Sequence, residues 1–410
     1  MKTLVIYTVF FLFSFSLQKE KLRTTNPDKF FQINYETLLN KKEIISLSQI
    51  ASNVEYIKLE TNKDCVLSSA EVCYFTDSII FIFKGGPLLK FSYNGKFLGE
   101  ILKIGRGPGE IDPAGIVSLI PDKRLIVSQK PSQHKLLYFS YDGKFIRSVT
   151  YPANVQRIHV MKDGRYIYYQ PGSSSNTKYT LILTNERNDT ISFLKNNNFW
   201  TLSGQVLVEV GSKGANLHPI YYLNNKLFFK SLYNDTVYTI LSNKILPSYF
   251  VNLGKYKIPN EFIPENLIST GQGKIYQEQS IKYRYSDVLE ISNRIFIGTY
   301  SYQNNKIPPQ YILIDKQNQQ GNALINKDGE STGIVNDWDG GKDFWPTGTI
   351  SDNKIFMPIN ILDLKKEYEK NKSTKKSIKY PEKEKDLLKI ISNSDITDNP
   401  IIMIVTLNNR

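Results

Sequence analysis

Hydrophobic residues in this chain come in short runs, many alternating with polar ones, and the runs end at glycine, asparagine, aspartate or proline. Lys135-Leu136-Leu137-Tyr138-Phe139-Ser140 meets Asp142-Gly143 and resumes as Phe145-Ile146-Arg147-Ser148-Val149. Arg124 to Ser128 precedes that pair, and Lys226 to Lys230 precedes Val237 to Leu241 in the same manner. Short runs of aromatic and β-branched residues bounded by turn residues, without a 3.6-residue period, describe strands. Asn-Gly or Asp-Gly between such runs signals a hairpin, because both central positions of a type I′ turn need positive φ.

The turns repeat. Phe91-Ser92-Tyr93-Asn94-Gly95-Lys96-Phe97 returns as Phe139-Ser140-Tyr141-Asp142-Gly143-Lys144-Phe145. With Asn94, Asp142, Asn188 and Asn234 as markers, the spacings are 48, 46 and 46 residues. Four short strands per period is the size of one β-propeller blade. The expected fold is therefore all-β: six four-stranded antiparallel blades from residue 52 to the C-terminus, after an N-terminal extension at 18–51. The blades are placed near 53–102, 111–152, 156–208, 216–254, 287–326 and from Phe344 onward. Either Val54 to Leu59 or the terminal run Pro400 to Leu407 would close the ring by completing the other's blade.

Composition supports this. Tyr and Phe number 26 and 22, whereas alanine, the best helix former, occurs six times. The formal net charge is +13, and ten lysines against six acids lie between Asp363 and Lys389. No basic helix or aromatic RNA-binding motif accompanies them, so nucleic acid is not the expected partner. Residues 363–393 read as a lysine-rich, partly helical insertion into the last blade, with a short helix at Asp386 to Ile391.

Lys2, the uncharged run Leu4 to Leu17 and the small-x-small site Ser14-Phe15-Ser16 read as an export signal over residues 1–17. The run is short for a transmembrane span, and no cysteine stands at the cleavage point to take a lipid anchor. The expectation is an exported, unlipidated monomer, periplasmic or extracellular. Cys65 and Cys73 are the two cysteines. A disulfide between them requires an intervening hairpin, since an extended strand would hold them too far apart; two free thiols are the alternative.

Ile104-Gly105-Arg106-Gly107-Pro108-Gly109-Glu110, followed by a strand and the Phe-Ser-Tyr-Asp-Gly-Lys-Phe turn, resembles the repeat of NHL-type and TolB-like propellers. The mature chain as a whole resembles the exported six-bladed β-propeller family of gut-dwelling Gram-negative bacteria. Leu47 to Ile50, Val54 to Thr61, Tyr233 to Tyr238, Asn336 to Gly341, Phe344 to Pro346 and Asp398 to Ile402 carry that likeness in order. The resemblance implies the fold and export, and little about activity. Many members carry a lipid-anchor cysteine where this chain has none.

Candidate chemistry is sparse. The Gly105 to Glu110 loop lacks the Lys-Ser/Thr and the following helix of a phosphate cradle; its glycines fit a close crossing between blades, with Arg106 and Glu110 as candidate ligand contacts. Asn336-Asp337-Trp338-Asp339-Gly340-Gly341 clusters oxygens of the kind calcium takes, which makes Asp337 and Asp339 weak metal candidates, against ordinary Asx turns. Trp338, Phe344, Trp345, Tyr166, Tyr168 and Tyr169 divide between inter-blade core and stacking surface. No nucleophile motif is visible. The preferred reading is a non-catalytic binding or scaffold propeller that recognises a glycan, peptide or partner protein at the channel mouth through Arg106, Glu110, Asp337, Asp339 and Trp345, with no cofactor. The alternative is a calcium-dependent hydrolase or lyase, for which His159, Asp337 and Asp339 are the nearest candidates.

Overall fold

A computed structural model describes residues 31–67, 73–83, 87–107, 109–112, 115–152, 155, 157–170, 178–195, 219–231, 234–257, 282–301, 307–373 and 377–408. The export-signal segment and His218 lie outside them.

Six antiparallel four-stranded units follow one another around a ring. Blade 1 is Cys73–Phe75, Ile79–Ile82, Leu88–Ser92 and Phe97–Leu102. Blade 2 is Val117–Ile120, Leu125–Lys130, Lys135–Ser140 and Phe145–Thr150. Blade 3 is Arg157–Val160, Tyr166–Tyr169, Tyr179–Thr184 and Thr190–Lys195. Blade 4 is Ile220–Leu223, Lys226–Phe229, Thr236–Ile240 and Ile245–Asn252; blade 5 is Arg284–Glu290, Arg294–Ser301, Gln310–Asp315 and Gln320–Leu324. Blade 6 takes Gly348–Ser351, Lys354–Ile359 and Ile401–Leu407 from the C-terminal part, and its outermost strand, Ala51–Lys58, from the N-terminal part. Apolar faces of successive blades pack on each other, as where Ile57, Ile402 and Ile404 of blade 6 meet Ile80, Leu89 and Phe91 of blade 1.

The early strand is thus the one that closes the ring, and blade 1 begins at Cys73 rather than near residue 53. Asn399, wholly buried, fastens this junction: its amide donates to the Glu60 and Cys65 carbonyls at 2.6 and 2.7 Å and its oxygen accepts from Leu67 N. Beside it Lys58 pairs with Asp398 at 2.9 Å, and that hydrogen bond holds the Asp398 carboxyl below the usual range. No disulfide joins Cys65 and Cys73.

The repeated turns differ in type from the sequence expectation. Gly95 N donates to Ser92 O, and Ser92 N to Lys96 O; Gly143 and Ser140 repeat the pattern. Only the glycine of each pair has positive φ, +88° and +78°. These are type I turns with a left-handed glycine and a bulge, not type I′. The glycine has a second reason. A Cβ on Gly95 would stand 2.1 Å from Lys58 O in the outer strand of blade 6, and one on Gly143 would stand 2.4 Å from Ile101 O in the outer strand of blade 1. Each turn is therefore pressed against the preceding blade. Asn188, at φ +70°, ends the same hairpin in blade 3. Asn234 does not: it precedes the third strand of blade 4, whose outer hairpin turns at Leu241–Lys244. Asx-turn chemistry looks alike at either end of a strand, so that marker is one connection out of step.

Upstream of the closing strand the chain straps the rim. Phe31–Asn34 adds a parallel fifth strand to blade 4, with Phe31 stacked on Tyr249 at 5.1 Å. Helix α1 (Tyr35–Leu39) follows, with buried Tyr35 sharing a 2.7 Å hydroxyl hydrogen bond with Thr299 of blade 5. Lys42–Glu43 then pairs in parallel with blade 5, and helix α2 (Leu47–Ile50) leads into the closing strand.

The lysine-rich insertion holds two helices, α3 (Ile361–Ser373) and α4 (Pro381–Ser392), where the sequence suggested one short helix. Ile361, Leu364 and Tyr368 keep a helical spacing on the buried side of α3. The lysines around them obscure that stripe in the sequence.

Candidate functional site

Each inter-blade connection leaves an outermost strand and enters the next innermost one. With four antiparallel strands per blade, all such connections emerge on the same side of the ring. Residues 103–116 and 325–347, which carry the five candidate residues, are both of this kind.

The first connection is locked from within. Gly107 N donates to Glu110 Oε2 at 2.7 Å, Glu110 N to Gly107 O, and Gly105 N to Ile111 O. The Glu110 carboxylate lies over Gly105, where a Cβ would stand 2.0 Å from Oε2. Lys130 closes the loop from below: the residue is only 2% exposed, and its ammonium donates to Glu110 O at 2.7 Å and Gly105 O at 3.4 Å. Burying an ammonium is costly unless its protons find acceptors, and here backbone carbonyls supply them. Arg106 stays exposed. Gly109 faces the outermost strand of blade 2; a Cβ added to it would stand 3.6 Å from Phe145 Cβ.

The second connection is a hub. Wholly buried Asn336 accepts from Trp338 N at 3.0 Å and donates to Asp339 Oδ1 at 2.8 Å. That carboxylate oxygen also receives Gly341 N at 3.0 Å and the Tyr56 hydroxyl at 3.1 Å, and Asp339 is 1% exposed. Burial, and then the nearby Asp339 charge, push the Tyr56 phenol well above its usual range. Asp337 turns the other way and accepts from Ser48 N at 2.9 Å and Ser48 Oγ at 2.6 Å, tying α2 to the hub. Asn371 of α3 donates to the Gly340 and Gly341 carbonyls, and Tyr380 packs on Trp338 at 4.3 Å.

The structure thus gathers Asp337 and Asp339 in one hub and Arg106 and Glu110 in a different loop. Trp345 lies 4.3 Å from the Tyr311 ring and 5.7 Å from Phe296, inside the contact between blades 5 and 6. Phe344, Trp338, Tyr166, Tyr168 and Tyr169 are likewise buried core. A cation at the hub would have to displace Ser48, Tyr56 and Asn336 from the carboxylates. Among the described residues, no group of three or more His, Cys, Asp or Glu could hold a metal ion.

Apart from His159, the sequence did not single out the innermost strands, which border the central channel of a propeller. Arg157 and His159 of blade 3, Tyr222 of blade 4, and Arg284 and Tyr285 of blade 5 are half-buried there. The His159 ring is 5.8 Å from Tyr222, Lys162 stands over Tyr222 at 5.3 Å, and Tyr285 stacks on Tyr300 at 5.6 Å. Aromatic rings and guanidinium groups carried by the same strands suit ligands that stack and carry acidic or hydroxyl groups.

A model of the family described as "Domain of unknown function (DUF4934)" matches residues 30–406. A protein of Bacteroides fragilis NCTC 9343 described as exported (BF0058) has a similar structure. The TM-score is 0.67 at 17% identity, over 93% of this chain and 100% of that one. A member of the DUF4221 family from Bacteroides vulgatus ATCC 8482 gives 0.46 at 11% identity, over 87% and 97%. Virginiamycin B lyase from Staphylococcus aureus gives 0.33 at 11%, over 70% and 83%. No curated protein matches the chain. No helix among the described residues is long and apolar enough to cross a membrane.

Proposed function

We propose, on the premise that this chain belongs to the DUF4934 family, that it is an exported binding propeller. Its ring holds a glycan, peptide or partner protein at the channel mouth. The observation that carries the reading is the set of half-buried aromatic and cationic side chains on adjoining innermost strands, Arg157, His159, Tyr222, Arg284 and Tyr285. A ring of packed blades keeps them in fixed positions, so little conformational entropy is lost when a ligand stacks among them. The carboxylates of Glu110, Asp337 and Asp339 meanwhile serve the fold. Export is supported by the apolar N-terminal run and small-x-small site, and agrees with the description of the Bacteroides fragilis neighbour.

The test is an array of oligosaccharides, including acidic ones, and of peptides, probed with the full mature chain. Arg157→Ala and Tyr285→Ala should each weaken the strongest binding about tenfold or more, with a cooperative urea transition showing that each variant folds. Binding that survives both substitutions would remove the channel mouth as the site. N-terminal sequencing from the native host should show loss of about 16–18 residues; an intact Met1 in the cytosol would refute export.

A further inference from the structure

We propose that the outer edge of blade 2 is a docking strand for an acidic, extended segment of a partner protein. Phe145–Thr150 is the last strand of its sheet, and Lys144 to Ser148 are five consecutive exposed residues. Among them are Phe145 at 44% and Ile146 at 50% exposure. Large apolar side chains on an edge to which no described strand pairs invite pairing.

The protein itself shows that such edges take a further strand. In blade 4, Val251 N donates inward to Asp235 O, and Phe31–Asn34 lies on the other side of Tyr249–Asn252. In blade 2, Tyr151 N donates inward to His134 O in the matching position. Backbone groups alternate in direction along a strand, so Thr150 is the counterpart of Phe250, and Thr150 and Ser148 point their N–H and C=O groups outward. The strap of blade 4 pairs with Tyr249–Asn252, beyond the bulge opposite Val237 and Tyr238; in blade 2, Ser148 to Thr150 likewise lie beyond the bulge opposite Tyr138 and Phe139.

Charge selects the occupant. Lys144 and Arg147 flank the apolar pair, and Arg147 is held 4.2 Å over the Tyr138 ring. Arg106 is displayed by the loop whose Gly109 faces Phe145. The acids close by are engaged elsewhere: Asp142 with Lys90 at 2.9 Å, Glu110 with Gly107 N, and Asp112 with Ser132 N. Blade 1 sets Glu100 between Lys96 and Lys103, and blade 3 sets Glu186 and Asp189 beside Arg187 and Lys195, so acids are interleaved with bases along both edges. Main-chain pairing supplies affinity in strand addition, and the positive flank sets which partner fits.

The probe is a fluorescein-labelled peptide of alternating glutamate and valine, titrated against the full mature chain by fluorescence anisotropy. Binding should weaken with added salt. Ser148→Pro removes an outward N–H without touching the inward ladder, and Arg106→Glu with Lys144→Glu reverses two exposed charges; each variant should bind about tenfold or more weakly. Urea midpoints like that of the parent would show that both variants fold, and the charge variant keeps the question open to test if the proline destabilises the sheet. No binding, equal binding of a lysine–valine peptide, or parent-like binding by the charge variant overturns the proposal. So does self-association that Ser148→Pro abolishes, which would make a second copy of the chain the occupant.

Discussion

Replacing Gly95 with alanine isolates the contact between blades from the demand of the turn itself. Three glycines make the comparison. Gly95, Gly143 and Gly329 end turns with the same hydrogen-bond pattern, and their φ values are +88°, +78° and +79°. An L-residue in that conformation costs about 1–2 kcal/mol. At Gly329 nothing lies within 4 Å of an added Cβ, so that is the whole cost. At Gly95 the Cβ would meet Lys58 O at 2.1 Å and Lys58 C at 2.9 Å. The turn must then retreat about an ångström from the closing strand, and the 2.8 Å bond from Glu60 N to Gly95 O goes with it. Losing one such bond and its packing adds about 1–2 kcal/mol. Gly95→Ala should therefore cost about 3 kcal/mol, and Gly143→Ala, which also meets a backbone oxygen of the preceding blade, more than Gly329→Ala. Equilibrium urea unfolding followed by tryptophan fluorescence reads the difference. With a slope near 3 kcal/mol per molar, Gly95→Ala should shift the midpoint about 0.5 M further than Gly329→Ala. Equal shifts for all three would refute the inter-blade role and leave the turn as the sole reason for the glycines.

Two further predictions concern the buried junctions. Asp398 titrates below its unfolded value because Lys58 donates to it, so its contribution is present above about pH 4 and is lost as pH falls through the folded value. Asp398→Asn should cost at most about 1 kcal/mol at neutral pH and flatten the acid limb of the stability profile, since the pair is partly solvated; an unchanged acid limb by thermal melts would refute this. Asn336→Ala leaves Asp339 and two backbone N–H groups short of partners in a buried hub. It should cost about 3 kcal/mol, and a melting temperature within error of the parent would count against the hub.

The sequence made the local features legible and hid the distant ones. Gly95 and Gly143 announce their turns because a glycine after asparagine or aspartate, set between two apolar runs, marks a reversal of the chain. Their pressure on Lys58 and Ile101 has no local signature. Asn234 points to the wrong connection because strand order within a blade leaves no mark on an Asx turn. The Asp337 and Asp339 cluster invites a ligand on paper. Its partners, Ser48 and Tyr56, stand 289 and 283 residues away. Arg157 and Tyr285 show the same limit from the other side: nothing in a short strand says whether it lies nearest the axis or at the rim.

Ala51 pairs with Leu407, which sets an order of events for the growing chain. Ala51–Lys58, made before any other strand of the six blades, finds its neighbour only after nearly every other residue has been synthesised. Bringing those ends together is a loop-closure cost that grows slowly with length. It delays folding more than it weakens the folded state, because contacts so remote in sequence make slow folders. Blades 1 to 5 are each local enough to form as they emerge, while residues 51–58 wait with an unsatisfied ladder. Closure of the ring joins residues 51–58 to Ile401–Leu407, and a chain lacking Ile401–Leu407 would leave the first-made blade strand without its neighbour.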